Sequence, residues 1–427
     1  MEVRADFRQI KQNRKTVPVA LSIIVKKRIL FVGEDQPLWQ EFERFTSEPN
    51  SPWSVEFART APEALALIER INFDAAIVDE DLADVEGVDL LDRIMQGQPK
   101  MLRLILSDLE NATSTVKCVG RAHQHLLKPC DAFMISHALN QALTLQAWLP
   151  SEAVYRLVSR MRWLPSPPGI YTRILAEMRS MDTSIEKVGE LIAQDPAVSA
   201  KVLQLANSAV FALQLEVVQP AEAVSYVGLE TTKALVLLAH TFSSFARLHV
   251  VGFSAEALWR HSVAVGHIAR QIATSQSSGP ELAEQSFSSG LLHDIGKLLL
   301  AANLAEPFGQ ALALAKAEGC ALWEAESQVF GATHAELGAC LLGIWGLPTP
   351  VVKAVALHHD PSRSTAQAFS PLTAVHAANV FEHEFQPGPA GFKPPTLDVN
   401  YLNKLGLAQR AEEWRQECSK SNEAAAA

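Results

Sequence analysis

A run of histidine and aspartate side chains in this sequence has the composition of a divalent metal site. The pair His293-Asp294 interrupts the otherwise apolar stretch SGLLHDIGKLLL, residues 289–300. Imidazole nitrogens and carboxylate oxygens bind divalent transition metals, and a buried polar pair needs partners because burying an unpaired polar group is costly. The other members of the run are His261, His334, His358 and His359.

The spacing of these residues indicates that they come from several helices. His261 lies in the helical pattern EALWRHSVAVGHIARQIA, and His334 lies in the first turn of a helix that begins with the capping box THAE. Helical metal sites are built from side chains that project from several helices into one core. A single core histidine is more often a packing residue than a ligand, but the order H…HD…H…HH favours a shared site. Histidines without this pattern are assigned to the surface or to packing: His240, His249, His267, His376 and His383.

A second set of chemical groups occurs in the first 130 residues, at the predicted ends of strands. Carboxylates gathered at one edge of a sheet suit Mg²⁺, and a hydroxyl and an ammonium nearby would hold the oxygens of a phosphoryl group on the central carboxylate. Acids in loops are commonly only solvated, but five polar residues at four coincident strand ends favour a site. The residues are Glu34, Asp35, Asp79, Ser107 and Lys128.

Alternating strand and helix patterns position this second set. They predict a doubly wound, parallel, five-stranded α/β sheet, in which ligands bind beyond the carboxyl ends of the strands. From Leu164 onward helical periodicity dominates, which predicts a second, all-α domain. The predicted strands are residues 28–32, 54–58, 74–79, 101–107 and 123–129.

Residues 27–148 resemble the receiver domain of two-component response regulators, which has a flavodoxin-like fold. Asp79 stands at that family's phosphoacceptor position, Ser107 at its switch hydroxyl, and Lys128 at its lysine with the following proline. The resemblance implies phosphorylation of Asp79, a sensor histidine kinase as partner, and Mg²⁺ as cofactor.

The acidic positions depart from the receiver pattern. That family usually carries two adjacent acids after the first strand, whereas this chain has Gly33 and then Glu34. Two alternatives remain for the magnesium site. Glu34 serves together with Asp79 and the carbonyl of Asp81, or Asp35 turns in instead.

Residues 164 to about 361 resemble the HDOD branch of the HD superfamily of metal-dependent phosphohydrolases. The resemblance rests on LPSPPGIYTRILAEM, LIAQDPAVSAKVLQLANSAVF and AEAVSYVGLETTKALVL. HDOD domains are generally regarded as signalling and protein-interaction modules in which metal ligands are often missing. The resemblance therefore implies an output module, and in this chain most of the ligands are present.

Two departures separate this chain from the HD-GYP branch, the cyclic-di-GMP phosphodiesterases. That branch has a Gly-Tyr-Pro motif after its paired histidines, where this chain continues Asp-Pro-Ser at 360–362. The superfamily's last ligand is an aspartate on a late helix, where this chain offers Asn379. A neutral amide binds a divalent metal more weakly than a carboxylate and cannot act as a base.

These departures favour regulated protein contact over catalysis as the output. In that case phosphorylation changes how the receiver packs on the linker helix, and an HDOD surface is exposed or hidden. The alternative is a metal-dependent phosphohydrolase acting on a cyclic dinucleotide or another nucleotide. In that alternative Asp294 bridges two metals and Lys297 contacts a phosphate.

Composition limits the remaining classes. The chain of 427 residues is 48% apolar and 20% charged, which is typical of a globular protein with sizeable cores. Its net charge of -10 disfavours nucleic-acid binding, which needs a basic face. No apolar run reaches the ~18 residues of a spanning helix, and the five cysteines form no CxxC pair. We expect a cytoplasmic protein without a membrane span.

The patterns divide the chain into five predicted segments. They are a flexible basic leader (1–26), a receiver domain (27–148), a linker helix (149–163), an HDOD domain (164–362), and a helical extension with a disordered tail (363–427). The sequence identifies neither the downstream signalling protein nor the oligomeric state, and a homodimer stays open.

Overall fold

The computed structural model describes the greater part of both predicted domains. Of the predicted leader it describes only residue 26, and of the predicted linker helix only residues 153, 154 and 157, which are helical. The described residues are 26–48, 51–98, 101–107, 122, 124–128, 130–136, 138–140, 153–154, 157, 169–178, 184–194, 196–207, 217–244, 250–276, 279–345, 347–386 and 391–426.

The first domain is built on a parallel sheet of five strands in the order β2-β1-β3-β4-β5. This order is that of flavodoxin-like folds, so the predicted doubly wound α/β sheet is confirmed. The strands are β1 (Lys27–Val32), β2 (Trp53–Ala58), β3 (Ala75–Asp79), β4 (Leu102–Ser107) and β5 (Gln124–Leu127). The helices between them include α1 (Gln36–Ser47), α2 (Ala61–Arg70) and α3 (Gly87–Gly97).

Apolar side chains cover both faces of this sheet. Successive residues of a strand point to opposite faces, so Leu30 and Val32 join one core cluster while Ile29 and Phe31 join the other. Helices α2 and α3 pack in the first cluster. Helix α1 and the helical residues 132, 135, 138 and 139 pack in the second, which leaves the carboxyl edge of the sheet open for chemistry.

The carboxyl ends of the strands meet at that edge. Ser107 of β4 pairs with Leu127 of β5, and Asp79 ends β3 beside them. Lys128 follows β5 directly and so reaches the same edge. Gly87, the first residue of α3, lies so close to β3 that a Cβ on it would be 2.2 Å from the carbonyl oxygen of Asp79. Only glycine fits there.

The second domain is all-helical, as predicted. One apolar core cluster joins its helices, and Val154 and Leu157 of the predicted linker belong to that cluster. None of its described helices combines the length and the apolarity that are needed to cross a membrane. The helices are α4 (Gly169–Met178), α5 (Ile185–Ala193), α6 (Pro196–Ala206), α7 (Pro220–Val227), α8 (Leu229–Ser244), α9 (Ala255–Ser275), α10 (Pro280–Leu292), α11 (Ile295–Asn303), α12 (Ala305–Glu318), α13 (Leu322–Phe330), α14 (His334–Ile344), α15 (Thr349–Leu357), α16 (Pro371–Phe385), α17 (Val399–Lys404) and α18 (Ala408–Ala426).

The C-terminal helix extends further than the sequence analysis expected. The predicted disordered tail coincides with the end of α18, which continues to Ala426. Alanine and glutamate are strong helix formers, and both are frequent in the last 16 residues.

Glycines bring the helices of the second domain into close contact at two places. A Cβ on Gly290 of α10 would lie 2.7 Å from the Cα of Gly266 in α9. A Cβ on Gly296 of α11 would lie 1.9 Å from the carbonyl oxygen of His334 in α14. The turn between α10 and α11, which carries His293 and Asp294, is therefore held against both α9 and α14.

The two domains meet near the start of α14. Strand β5 of the first domain packs against α14. A Cβ on Gly331, in the turn before α14, would lie 3.8 Å from the Cβ of Ala153 in the predicted linker helix. Both contacts involve the segment that carries His334.

Candidate metal centre and phosphoacceptor site

The first site is centred on Asp79 at the carboxyl edge of the sheet. The Lys128 ammonium lies 2.7 Å from Asp79 Oδ2 and 2.8 Å from Asp79 Oδ1, and the Asp81 N–H donates to Oδ1 at 3.3 Å. Burial raises the pKa of the Asp79 carboxyl, although Lys128 acts in the opposite direction. Ser107 is buried at the end of the adjacent strand. The structure thus brings the predicted acceptor, lysine and hydroxyl to one edge.

The other predicted acids of this edge lie further from the centre. Glu34 and Asp35 are exposed, and Asp35 Oδ1 accepts the Leu38 N–H at 3.1 Å as the N-cap of α1. A Cβ on Gly33 would lie 3.0 Å from Asp79 Cβ, so the side chain that would face Asp79 is missing. Within the described part of the first domain, no three His, Cys, Asp or Glu ligand atoms lie within 4.8 Å of one another.

The second site brings together the predicted ligands of the helical domain. His261 lies in α9, His293 and Asp294 form the turn between α10 and α11, and His334 begins α14. The paired histidines, 358 and 359, follow the end of α15. Four separate segments of chain therefore supply the side chains, and all of them meet at the carboxylate of Asp294.

The two oxygens of Asp294 face different histidines. Oδ2 lies 3.4 Å from His293 Nε2 and 3.6 Å from His261 Nε2. Oδ1 lies 3.0 Å from His334 Nε2 and 3.8 Å from His358 Nε2. Two atoms that are each bonded to one metal at the usual 2.0–2.2 Å lie about 3–3.5 Å apart, so both groups have nearly the spacing of a metal position.

His359 extends the group of histidines that faces Asp294 Oδ1. His359 Nε2 lies 3.1 Å from His334 Nε2, and the His359 ring stacks on Trp323 with centroids 5.8 Å apart. Asp294, His334, His358 and His359 form one set of candidate ligands, and Asp294, His261 and His293 form another. The two candidate sets share the Asp294 carboxylate.

In four of these histidines, Nδ1, the ring nitrogen on the side away from Asp294, contacts a hydrogen-bond acceptor. His293 Nδ1 donates to the Gly290 carbonyl at 2.7 Å, and His358 Nδ1 donates to the Val355 carbonyl at 2.8 Å. Carboxylates fix the other two rings, with Glu382 2.6 Å from His261 Nδ1 and Glu326 2.6 Å from His334 Nδ1. Such partners set the tautomer of a ligand histidine and turn Nε2 toward the metal.

Two family models match this chain. The model for the response regulator receiver domain matches residues 29–140, and the model for the HDOD domain matches residues 164–361. The chain joins a receiver domain to an HDOD domain.

Two curated proteins are similar to parts of the chain. An uncharacterized protein of Treponema pallidum is 24% identical over 224 residues, covering 52% of this chain and 43% of that protein. The alginate biosynthesis transcriptional regulatory protein AlgB of Pseudomonas aeruginosa is 31% identical over 106 residues, covering 24% of this chain and 23% of that protein. The chain spans less than half of the length of either relative.

A solved structure shares the fold of the HDOD domain. It is an HDOD domain protein of unknown function from Geobacter sulfurreducens, with 24% identity and a TM-score of 0.50. The likeness covers 63% of this chain and 97% of that one, and it concerns the fold.

Three histidines of the HDOD site have the neutral charge state that a metal ligand needs. Burial lowers the pKa of His293 to about 3 and holds the pKa values of His358 and His359 well below the usual range. Burial alone would raise the pKa of Asp294, but its neighbours His293 and Lys297 outweigh it and hold that pKa well below the usual range. Neutral imidazoles thus surround an ionised carboxylate.

His334 has a different charge state from the other buried histidines. Burial acts to lower its pKa, but the carboxylates of Glu326 and Asp294 outweigh burial, so the pKa is raised. His358 Nε2 is buried and has no hydrogen-bond partner among the described residues. A buried nitrogen without a partner, facing a carboxylate, fits a cation placed between them.

Asn379 lies on the expected late helix. It is 3% exposed, one turn before Glu382 on α16, and its Oδ1 has no hydrogen-bond partner among the described residues. The same helix supplies a carboxylate at Glu382, but this carboxylate contacts Nδ1 of His261, not the Nε2 atom that faces Asp294. Asn379 is therefore a buried amide on this helix, and its role as a neutral ligand stays a prediction.

Sequence reasoning missed three residues of this site. Glu326 and Glu382 were not singled out, and His383 was assigned to the surface or to packing, whereas its Nδ1 lies 3.5 Å from Glu382 Oε2 beside His261. Glu382 and His383 follow Asn379 within one helical turn, and that spacing was an available signal. Glu326 has no comparable signal, because WEAES reads as an ordinary helix start.

The centre is closed on one side and partly open on the other. The side chains of His293, His334 and His358 are at most 1% exposed, whereas those of His261, Lys297 and His383 are 15%, 19% and 30% exposed. Lys297 Nζ lies 2.5 Å from Asp294 Oδ2. The more exposed side of the centre is therefore the one formed by His261, Lys297 and His383.

Proposed function

We propose that this protein is a two-component response regulator in which phosphorylation of Asp79 controls an HDOD output module that acts by protein contact. We further propose that this module holds a divalent transition metal centre. A sensor histidine kinase would supply the phosphoryl group. The Lys128 ammonium on Asp79 supports this role, because it is placed to neutralise the oxygens of a phosphorylated carboxylate.

One observation carries the metal part of the proposal. Each oxygen of the buried Asp294 carboxylate faces its own pair of imidazole Nε2 atoms at 3.0–3.8 Å, and four of these rings are oriented through Nδ1. Packing alone does not require four histidines to turn their Nε2 atoms toward one carboxylate. Bound metal would stabilise the folded domain, because the ligands are scattered in the unfolded chain.

The contacts between the domains support control of the centre by the receiver. Lys128, which binds Asp79, directly follows β5, and β5 packs against α14. Helix α14 begins with the candidate ligand His334, and the turn before it approaches Ala153 of the linker. A change at Asp79 that moved β5 or the linker would therefore reach the segment that holds His334.

Labelling with a small phosphodonor tests the receiver part. With Mg²⁺ present, the wild type should be phosphorylated and Asp79→Asn should not. Asp89→Asn, which removes an exposed acid of α3, is the matched control and should be labelled like the wild type. Label that persists in Asp79→Asn would refute the acceptor assignment.

A second candidate function is a metal-dependent phosphohydrolase for a cyclic dinucleotide or another nucleotide. The partly open edge at Lys297 favours it, because an ammonium there would bind a phosphate beside the metal positions. Bound metal would supply Lewis acidity, while His261 and His293 would hold one position and His334, His358 and His359 the other. Mn²⁺-dependent hydrolysis of bis-p-nitrophenyl phosphate that is lost in His293→Ala would establish this function over the contact-only module.

A further inference from the structure

The paired histidines 358 and 359 lie at a helix end, where backbone carbonyls need partners from outside the helix. Helix α15 ends at Leu357, and His358 is its C-cap. The last four carbonyls of an α-helix have no partner inside the helix, and a buried carbonyl that stays unpaired is costly. The His358 carbonyl accepts a hydrogen bond from Nδ1 of His376 on α16 at 2.8 Å. His376 thus holds the backbone from which the His358 ring extends toward Asp294.

His376 is itself fixed through its second ring nitrogen. Its Nε2 accepts the backbone N–H of Asp398 at 2.9 Å, and the residue is 3% exposed. One ring nitrogen donates and the other accepts, so the ring carries its hydrogen on Nδ1. The neighbours of His376 on α16, Val375 and Ala377, are buried and apolar, so packing there does not require an imidazole. The ring therefore serves as a hydrogen-bonded link between the end of α15 and the start of α17.

A second contact of Asp398 reaches the chain just after the paired histidines. Its Oδ2 accepts a hydrogen bond from the hydroxyl of Ser362, and its Oδ1 accepts the Tyr401 N–H at 2.9 Å as the N-cap of α17. The hydroxyls of Tyr401 and Thr373 lie 2.8 Å apart, which ties α17 to α16. The segment from His358 to Ser362 is thus held at both of its ends.

We propose that His376 and Asp398 form a clamp that positions the paired histidines for metal, with His376 as its central positioning residue. Both residues lie beyond residue 361, where the match to the HDOD family model ends. The inference rests on the metal centre of the proposed function and adds the part of the chain that directs His358 Nε2 toward Asp294 Oδ1, 3.8 Å away. The chain after the HDOD match is thereby part of the support of the centre.

Titration of the metal-free full-length protein with Co²⁺ tests the clamp, because the visible absorption of bound Co²⁺ reports the geometry of its ligands. His376→Gln keeps an amide near Nε2 but loses the donor to the His358 carbonyl. It should change the spectrum and weaken Co²⁺ binding by about tenfold or more, as when an outer partner of a ligand is removed. His376→Asn keeps an amide near Nδ1, so it should retain the wild-type spectrum and most of the affinity. His267→Gln makes the same change on α9 outside the cluster and should bind Co²⁺ like the wild type.

A packing role for His376 predicts the opposite order, because asparagine leaves the larger cavity. An asparagine variant that binds Co²⁺ no better than the glutamine variant, or a glutamine variant with wild-type affinity and spectrum, would overturn the positioning role. Ser362→Ala loosens the other end of the clamp at an exposed position. It should speed amide hydrogen exchange in residues 358–364 and weaken Co²⁺ binding, and unchanged exchange and affinity would overturn the clamp. A wild type that takes up no Co²⁺ would overturn the metal centre itself, whatever the exchange of this segment.

Discussion

At the scale of single residues, the HDOD site depends on carboxylates behind its histidines. Glu326 is buried, and its Oε2 accepts both the His334 Nδ1–H at 2.6 Å and the His334 backbone N–H at 2.8 Å. It fixes the ring and the start of α14 at the same time. The negative charge also makes the imidazole a better metal ligand.

We therefore expect Glu326→Gln to weaken metal binding by ~10- to 100-fold. The glutamine oxygen can still accept a hydrogen bond, so the loss reports the charge and the orientation of His334. Glu306→Gln, which changes an exposed acid of α12, should bind metal like the wild type. Equal affinities of the two variants, measured by Mn²⁺ titration, would show that Glu326 has no role in the centre.

The neutral histidines predict how the stability of the metal-free protein depends on pH. His293 has a pKa of about 3 when folded and about 6.5 when unfolded, so below pH 6.5 the unfolded state binds the proton and the folded state does not. Stability should be complete above pH 6.5 and fall as the pH drops from there toward 3. Urea unfolding at pH 7.5 and 5.0 should show this loss, and it should be smaller in His293→Asn. Identical stability at the two pH values would contradict the assignment.

Asn379 gives a third prediction at this scale. A carboxylate binds divalent cations more strongly than an amide, so Asn379→Asp should tighten Mn²⁺ binding if Oδ1 faces the centre. Asn400→Asp adds the same charge at an exposed position of α17 and should leave the affinity unchanged. A similar small effect of both changes would exclude Asn379 from the ligand set.

At the scale of elements, close helix contacts decide whether the ligands meet. Gly290 touches Gly266 where α10 crosses α9, and His293 follows one turn later. Gly290→Ala should push these helices apart, destabilise the domain by ~1–3 kcal/mol and weaken metal binding. Gly309→Ala on α12, where an added Cβ meets only Val250 at 4.0 Å, should be neutral or stabilising. Calorimetric melting of both variants checks this, and equal melting temperatures would contradict it.

Strands and helices of both domains were predictable because their patterns are local. The strand predicted at 28–32 is β1 at Lys27–Val32, and the one predicted at 101–107 is β4 at Leu102–Ser107. The sequence analysis considered Asp35 for the magnesium site, but its local pattern predicts a helix cap. The order Asp-Gln-Pro at 35–37 is an N-cap followed by a helix start with proline, and Asp35 does cap α1.

The geometry of the metal centre was less accessible to sequence reasoning. The order of histidines pointed to a shared site, but which oxygen of Asp294 faces which ring depends on the packing of four segments. Glu326 could not be recognised, because a buried glutamate in a helix has the same local pattern as an exposed one. The pairing of Lys297 with Asp294 is local, at a spacing of three residues.

At the scale of the whole molecule, each domain carries one chemical site. The two domains touch beside the site of the HDOD domain. The receiver reaches α14 through β5, and Val154 and Leu157 of the linker belong to the HDOD core. The contacts between the described parts of the two domains therefore include the segment that begins with His334. The central claim is that this second site holds a divalent metal.

The most direct test is the metal content of full-length protein purified without chelators and without added metal, followed by dialysis against Mn²⁺. The wild type should contain a divalent metal or take it up in stoichiometric amount. His293→Ala should lose both metal and thermal stability, whereas His267→Ala, which removes a histidine of α9 outside the cluster, should keep its metal. A wild type that contains no divalent metal and takes up none, with the same stability as His293→Ala, would contradict the account.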